Sequence, residues 1–144
     1  MTQVDFYILE TDSDADRLHL ACKIVDKATQ LDHHVYIHST SDDEARQLDE
    51  LLWTFSQGSF IPHRILRSES AETPLEPVLI GVNQAPATGR WNVLINLAAD
   101  VPEFFSRYER VAEVVDANAV RREQSRGRYR FYRDRGYKLN THQV

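Results

Sequence analysis

The sequence is poor in the features that mark disulfide-linked, secreted or membrane-spanning proteins. Cys22 is the one cysteine among 144 residues, which excludes an internal disulfide and favours a reducing compartment. No apolar run approaches the roughly 18 residues of a membrane span, and the first ten residues lack the basic start and apolar stretch of a signal peptide. We therefore expect a soluble, cytoplasmic protein that contacts no membrane.

Glycine is also scarce, and its placement excludes the common phosphate-binding loops. The five glycines are Gly58, Gly81, Gly89, Gly127 and Gly136. None forms G-x-G-x-x-G or G-x-x-x-x-G-K-[ST]. The first predicted strand leads instead into Asp12, Asp14 and Asp16, whose carboxylates would repel a phosphate at the start of the next helix. The sequence thus predicts an absence of nucleotide binding.

Metal and catalytic sites are equally hard to build from this sequence. The three aspartates lack the glycine turn and terminal glutamate of a calcium-binding EF-hand loop, so we interpret them as a solvated helix start. His33, His34 and His38 have no cysteine beside them at a zinc-site spacing, and we interpret them as surface or core residues. No nucleophile-elbow or catalytic cysteine signature is present. We predict no metal, no cofactor and no catalytic residue.

Hydrophobic patterning predicts the order β-α-β-α-β-β-β-α-β-α. Strands are expected at residues 4–9, 35–38, 60–62, 77–81, 93–97 and 111–116, with helices at 11–31, 41–54 and 102–110 and a terminal helix from about residue 118. Residues 67–77 and 84–90 are predicted connections, and Gly58 is predicted to break the second helix. Ser41 and Glu44 have capping-box spacing. The alternation predicts one domain over residues 1–144 with an open, mainly parallel, three-layer α/β sheet.

The C-terminal stretch is strongly basic in an otherwise acidic chain. Residues 121–138 contain eight Lys and Arg against two acids, so they carry about +6 while the rest carries about −11 of a net charge of −5. On a helix, one third of the circumference would hold Arg122, Arg126, Tyr129, Arg130 and Arg133. The opposite side, predicted to pack inward, would hold Val120, Gln124, Gly127 and Phe131. This basic face is short for a surface that follows the phosphate backbone of a nucleic acid, and it suits a compact acidic protein partner.

Two motifs resemble the chi subunit of bacterial DNA polymerase III. They read D-E-x-L-W followed by S-F-I-P-H over residues 49–63, and R-Y-x-x-Y-R-x-x-G-x-x-L-N-T over residues 128–141. The resemblance covers essentially the whole chain. It implies an α/β fold similar to nucleotide-binding proteins, without nucleotide chemistry. It also implies a non-catalytic adaptor that pairs with the psi subunit of the clamp loader and binds the acidic C-terminal tail of single-stranded DNA-binding protein.

The resemblance also suggests where these partners bind. The matching tail-site residues are Arg126, Tyr129 and Arg130, to which the charge pattern adds Arg122 and Arg133. The psi contact would use the aromatic pair Trp53 and Phe60, with Pro62 and His63 beside it. We expect Arg126 or Arg130 to bind the terminal carboxylate of the tail, while Arg122 and Arg133 attract acids further along it. The alternatives are a small nucleotide- or metal-dependent enzyme and a direct nucleic-acid binder.

Overall fold

A parallel seven-stranded sheet forms the centre of the fold. The computed structural model describes residues 2–55, 60–66, 76–84 and 92–144. The strands are β1 (Gln3–Ile8), β2 (Val35–Ser39), β3 (His63–Leu66), β4 (Val78–Val82), β5 (Val93–Asn96), β6 (Arg110–Val115) and β7 (Lys138–Gln143). Their order is β3-β4-β2-β5-β6-β1-β7, and each of these neighbouring pairs is parallel. The predicted α/β class with a mainly parallel sheet is confirmed.

Helices cover both faces of this sheet. They are α1 (Asp14–Gln30), α2 (Asp42–Thr54) and α3 (Ala119–Asp134), and a 3-10 turn spans Phe105–Arg107. Helices α1 and α2 pack on one face, while α3 and the 3-10 turn pack on the other. Within the described ranges, no helix combines the length and the apolar character that a bilayer span requires.

Side-chain caps define where the helices begin. Ser13 Oγ accepts the Asp16 amide at 3.2 Å, and Ser41 Oγ accepts the Glu44 amide at 3.1 Å. Glu44 does not complete the predicted capping box, because its carboxylate accepts hydrogen bonds from Ser39 Oγ at 2.7 Å and Arg17 Nη1 at 2.9 Å. The Ser41 cap is therefore confirmed, while Glu44 instead holds α2 to α1 and β2.

Several predicted boundaries are wrong for local reasons. The strand predicted at residues 60–62 begins instead at His63, because proline at position 62 has no N–H to donate to a ladder. The helix predicted after Pro102 is only the 3-10 turn. The predicted connections at residues 67–77 and 84–90 are described only at residues 76, 77 and 84, and the predicted helix break at Gly58 lies outside the described residues.

The end of α3 differs most from the expectation of a continuous terminal helix. Gly136 adopts φ +79°, its N–H donates to the Arg133 carbonyl at 3.0 Å, and the Tyr137 N–H donates to the Tyr132 carbonyl at 3.1 Å. These two bonds are a Schellman motif, which ends the helix. The chain then forms β7 alongside β1. The predicted element order therefore lacked this seventh strand.

Gly81 offers a test of packing in the sheet. A Cβ at Gly81 would lie 1.7 Å from the Tyr36 hydroxyl oxygen, whereas the nearest atom to a Cβ at Gly127 in α3 is 4.0 Å away. We expect Gly81→Ala to lower the free energy of unfolding by about 1–3 kcal/mol through overpacking. Gly127→Ala, the matched control, should raise it by about 0.5–1 kcal/mol through helix propensity. Urea denaturation gives the free energy of unfolding of both variants. Equal stabilisation by the two substitutions would contradict the predicted overpacking at Gly81.

Candidate functional site

The orientation of α3 is set by a fully buried carboxylate on β6. Glu113 Oε1 accepts from Arg128 Nε at 2.8 Å, and Glu113 Oε2 accepts from the Tyr132 hydroxyl at 2.7 Å. Asn96 Nδ2 donates to the same two oxygens at 3.1 and 3.0 Å. Arg128 Nη1 also donates to the Ala99 carbonyl at 2.9 Å. These bonds connect α3 to β5, to β6 and to the chain that follows β5.

The buried environment changes the titration of this network. Burial raises the pKa of Glu113, while the charge of Arg128 and the hydrogen bonds from Asn96, Tyr132 and Arg128 oppose that rise. Burial also raises the pKa of Tyr132, and the neighbouring Glu113 carboxylate adds to this effect. Both groups face inward with their polar atoms paired. The Arg128 side chain is buried and hydrogen-bonded to Glu113 and Ala99, so it is not part of a binding surface.

The predicted inward face of α3 is wrong. The buried residues are Ser125, Arg128 and Tyr132, whereas Val120 is 65% exposed and Gln124 is exposed. Gly127 and Phe131, the other two residues predicted to face inward, are only partly buried. At about 100° per residue, the true inward side is rotated by roughly a quarter turn from the predicted one. Hydropathy misplaced it because an arginine, a serine and a tyrosine make the principal contacts.

This rotation opens a groove between α3 and the edge of the sheet at β1 and β7. Its volume is about 390 Å³. The residues that line it are Phe6, Ile8, Val115, Arg122, Ser125, Arg126, Tyr129, Thr141 and Gln143. The Tyr129 ring meets the Phe6 ring edge-on with centroids 5.3 Å apart, and Tyr129 remains 37% exposed. An apolar recess therefore lies beside cationic side chains. We call it the α3 groove.

The structure brings three of the five predicted tail-site residues to this groove. Arg122, Arg126 and Tyr129 line it, whereas Arg130 and Arg133 are exposed on α3 without lining it. Arg122 Nε donates to the Asp116 carbonyl at 3.3 Å, which holds its stem beside the helix start. Arg126 Nη1 lies 3.0 Å from Glu123 Oε2 in an exposed pair. Such a pair is weak, so Arg126 can exchange Glu123 for another carboxylate at little cost.

The second predicted site forms an aromatic platform at the end of α2. Trp53 and Phe60 stack with centroids 4.7 Å apart and remain 60% and 56% exposed. Pro62 is exposed beside them. The His63 ring is buried edge-on to Trp53, with Nε2 2.9 Å from Asp49 Oδ1 and Nδ1 2.7 Å from the Ile61 carbonyl. His63 therefore supports the platform from beneath and does not form part of its outer surface.

An ion pair connects the end of β6 to the starts of α1 and α3. The Arg121 guanidinium contacts Asp116 at 2.9 and 2.6 Å and reaches Asp14 at 3.1 Å. Burial alone would raise the pKa of Asp116, but the hydrogen bonds and charge of Arg121 lower it below its usual range. Among residues 2–55, 60–66, 76–84 and 92–144, no cluster of three or more His, Cys, Asp or Glu side chains could hold a metal ion.

Comparison with known proteins identifies the family. Residues 1–140 match the family model described as "DNA polymerase III chi subunit, HolC". The chain belongs to the DNA polymerase III chi subunit family. It is 38% identical to the subunit chi of Pseudomonas aeruginosa, over 100% of this chain and 98% of that protein. It is 30% identical to the subunit chi of Escherichia coli K12, over 98% and 97% of the two chains.

Membership in this family confirms the resemblance in the sequence. Chi is an accessory, non-catalytic subunit of DNA polymerase III, so the prediction that the chain is not an enzyme is also confirmed. A solved structure of the C-terminal domain of the DEAD-box protein Dbp5 superposes with a TM-score of 0.68, over 97% of this chain and 90% of that one. The sequence identity is only 10%, so this likeness concerns the fold alone.

Arg128 and Arg126 offer a direct test of the buried network. Arg128→Met should lower the free energy of unfolding by about 3–5 kcal/mol, because Glu113 would lose its buried counter-charge. Arg126→Met removes an exposed arginine from the same helix and should change stability by less than about 0.5 kcal/mol. Guanidinium chloride denaturation measures the free energy of unfolding of both variants. The dependence of that free energy on denaturant concentration is compared between them. Similar losses for the two variants would show that the network does not hold α3 in place.

Proposed function

We propose that this chi subunit is a replication adaptor that binds the acidic C-terminal tail of single-stranded DNA-binding protein and, through the psi subunit, joins that tail to the clamp loader. The observation that carries the proposal is the α3 groove, where Arg122 and Arg126 flank an apolar recess walled by Tyr129. The family resemblance implies a tail that is a short acidic segment ending in phenylalanine with a free carboxylate, and a receptor for such a segment needs an apolar recess beside fixed cations. The clamp loader itself is reached indirectly, through psi.

The chemistry of the groove suggests a role for each cation. The terminal phenylalanine ring fits against Phe6 and Ile8, which with Val115 form the apolar floor. Its carboxylate then lies beside Arg126, whose guanidinium can hold it through two charge-assisted hydrogen bonds. Arg122, which also lines the groove, is the second arginine that we expect to contact the tail. Because Arg130 and Arg133 do not line the groove, we assign them to long-range attraction of upstream acids, where salt screens the interaction.

The aromatic platform supports the psi contact. Two stacked, exposed rings with an exposed proline beside them present a rigid apolar surface, and such aromatic residues commonly dominate protein interfaces. His63 fixes the edge of the Trp53 ring from below. We therefore propose Trp53, Phe60 and Pro62 as direct psi contacts, with His63 as the residue that positions them.

The remaining expectations are consistent with this role. The two sites lie on one continuous sheet, which supports a single domain over residues 1–144. A replication subunit is expected to act in the cytoplasm, without membrane contact and without strong direct binding of nucleic acid. The alternative, a small nucleotide- or metal-dependent enzyme, is disfavoured by the Arg121–Asp116 pair where a phosphate would bind.

Tail binding is tested by peptide titration. An acidic peptide ending in phenylalanine with a free carboxylate should bind, and Arg126→Ala should weaken it by about 2–3 kcal/mol through loss of a charged hydrogen bond. Arg133→Ala is the matched control and should cost under about 1 kcal/mol. Isothermal titration calorimetry at two salt concentrations measures the peptide affinity of both variants. Undiminished binding of a peptide without its final phenylalanine would refute the recess as its site.

The aromatic platform is tested with recombinant psi. Trp53→Ala should weaken psi binding by at least about 2 kcal/mol, as expected for an aromatic residue at the centre of an interface. Val120→Ala removes an equally exposed apolar side chain on α3 and should leave psi binding unchanged. Surface plasmon resonance with immobilised psi gives both affinities. If Trp53→Ala weakened peptide and psi binding equally, a folding defect would explain the result better than an interface.

A further inference from the structure

A second groove lies on the other face of the sheet, between α1 and strands β1 and β6. We call it the α1 groove, and its volume is about 390 Å³. Apolar side chains form most of its lining, among them Tyr7, Leu20, Ile24, Leu31, Val93 and Ala112. Leu31 is 62% exposed there, and Tyr7 and Ile24 are partly exposed. Neither proposed partner site uses this surface.

Cations from two different elements border the groove. Lys23 and Lys27 project from α1, and Arg110 stands at the start of β6. Both lysines are exposed, and neither forms an ion pair within the part of the chain that the structure describes. They are four residues apart on one helix, where like charges repel. An anion between α1 and the sheet would relieve that repulsion.

The acid that lines this groove is already neutralised. Asp5 is 3% exposed, and its carboxylate lies 3.5 Å from Arg110 Nη1. The same carboxylate lies 3.2 Å from Asn140 Nδ2 and 3.1 Å from His142 Nε2. Asp5 therefore does not cancel the charge of the two lysines. Outside residues 121–138 the chain has nine Lys and Arg against twenty acids, yet three of those nine cations line this groove.

We propose that the α1 groove is a second docking site, for an acidic peptide segment of a protein partner whose apolar side chains alternate with its carboxylates. The two exposed lysines of α1 can match two carboxylates at once, and Arg110, which already faces Asp5, adds a cation on the opposite wall, whereas a fatty acid offers only one anionic group. An apolar floor suits aliphatic or aromatic side chains and does not suit a sugar–phosphate backbone. The site is independent of the α3 groove, because its lining side chains lie on the opposite face of β1 and come from α1.

The test uses a fluorescent heptapeptide, Glu-Leu-Asp-Phe-Asp-Leu-Glu, acetylated and amidated so that it lacks a free carboxyl terminus. Binding is measured by fluorescence anisotropy on the full chain carrying Arg126→Ala, which weakens the α3 groove, and the amidated end of the peptide removes the carboxylate that this groove would bind. Saturable binding is expected, and Lys23→Gln with Lys27→Gln should weaken it by about fivefold or more, as the loss of two ion pairs implies. Amide chemical shifts should change along α1 and at the start of β6.

Matched controls separate a specific site from general charge attraction. Arg46→Gln with Arg107→Gln removes two exposed cations elsewhere, and this double variant should change the affinity by less than about twofold, as expected for surface charges far from the site. A neutral peptide, Gln-Leu-Asn-Phe-Asn-Leu-Gln, should not bind. Equal weakening by the two double variants, unchanged affinity after the lysine substitutions, or full displacement of the peptide by octanoate would each overturn the proposal. Because the peptide has no free terminal carboxylate and the α3 groove is weakened throughout, these outcomes test the α1 groove and leave the proposed tail site untested.

Discussion

The buried carboxylate of Glu113 is the constraint on which the functional surface depends. A charged group without water is costly unless a counter-charge and hydrogen bonds replace its hydration. Arg128 and Tyr132 from α3 provide them, together with Asn96 from β5. Because both α3 residues must reach the same carboxylate, the helix can take only one rotation about its axis. That rotation directs Arg122, Arg126 and Tyr129 towards the edge of the sheet at β1 and β7.

The arrangement of strands separates the two proposed partner sites. The aromatic platform is adjacent to β3, one edge of the sheet, and the α3 groove lies beside β7, the other edge. With a strand spacing of roughly 4.8 Å, these edges are about 30 Å apart. Two partners could therefore occupy both sites without contact between them. This separation supports an adaptor that holds psi and the tail at the same time.

The sheet also has a switch point between β1 and β6, whose surroundings the structure describes in detail. Strands β1 and β6 are neighbours, but the helices that follow them, α1 and α3, lie on opposite faces, and such a switch point is where related folds bind ligands. Here Arg121 from α3 pairs with Asp116 after β6 and with Asp14 at the start of α1. This ion pair therefore connects the start of α1 to the start of α3 at the switch point.

Local signals in the sequence determined a large part of this protein. The cap at Ser41, the period of α1 and α2, and the apolar strand β5 are read from neighbouring residues, so patterning predicted them correctly. The motifs around Trp53 and Tyr129 also predicted the family. The basic charge of the C-terminal stretch followed from composition, and the importance of Trp53 and Phe60 followed from the family resemblance.

Only the tertiary structure decided the features that depend on contacts between distant residues. The polar strand β7 forms because β1 offers it a free edge, and nothing in its own hydropathy indicates a strand. Arg128 is buried because Glu113, fifteen residues earlier, needs a counter-charge. The helical projection placed Arg126 on the basic face and left Arg128 off it, but hydropathy gave no reason to turn the side that carries Arg128 towards the core. That orientation depends on long-range electrostatics, which the order of residues along one helix does not contain.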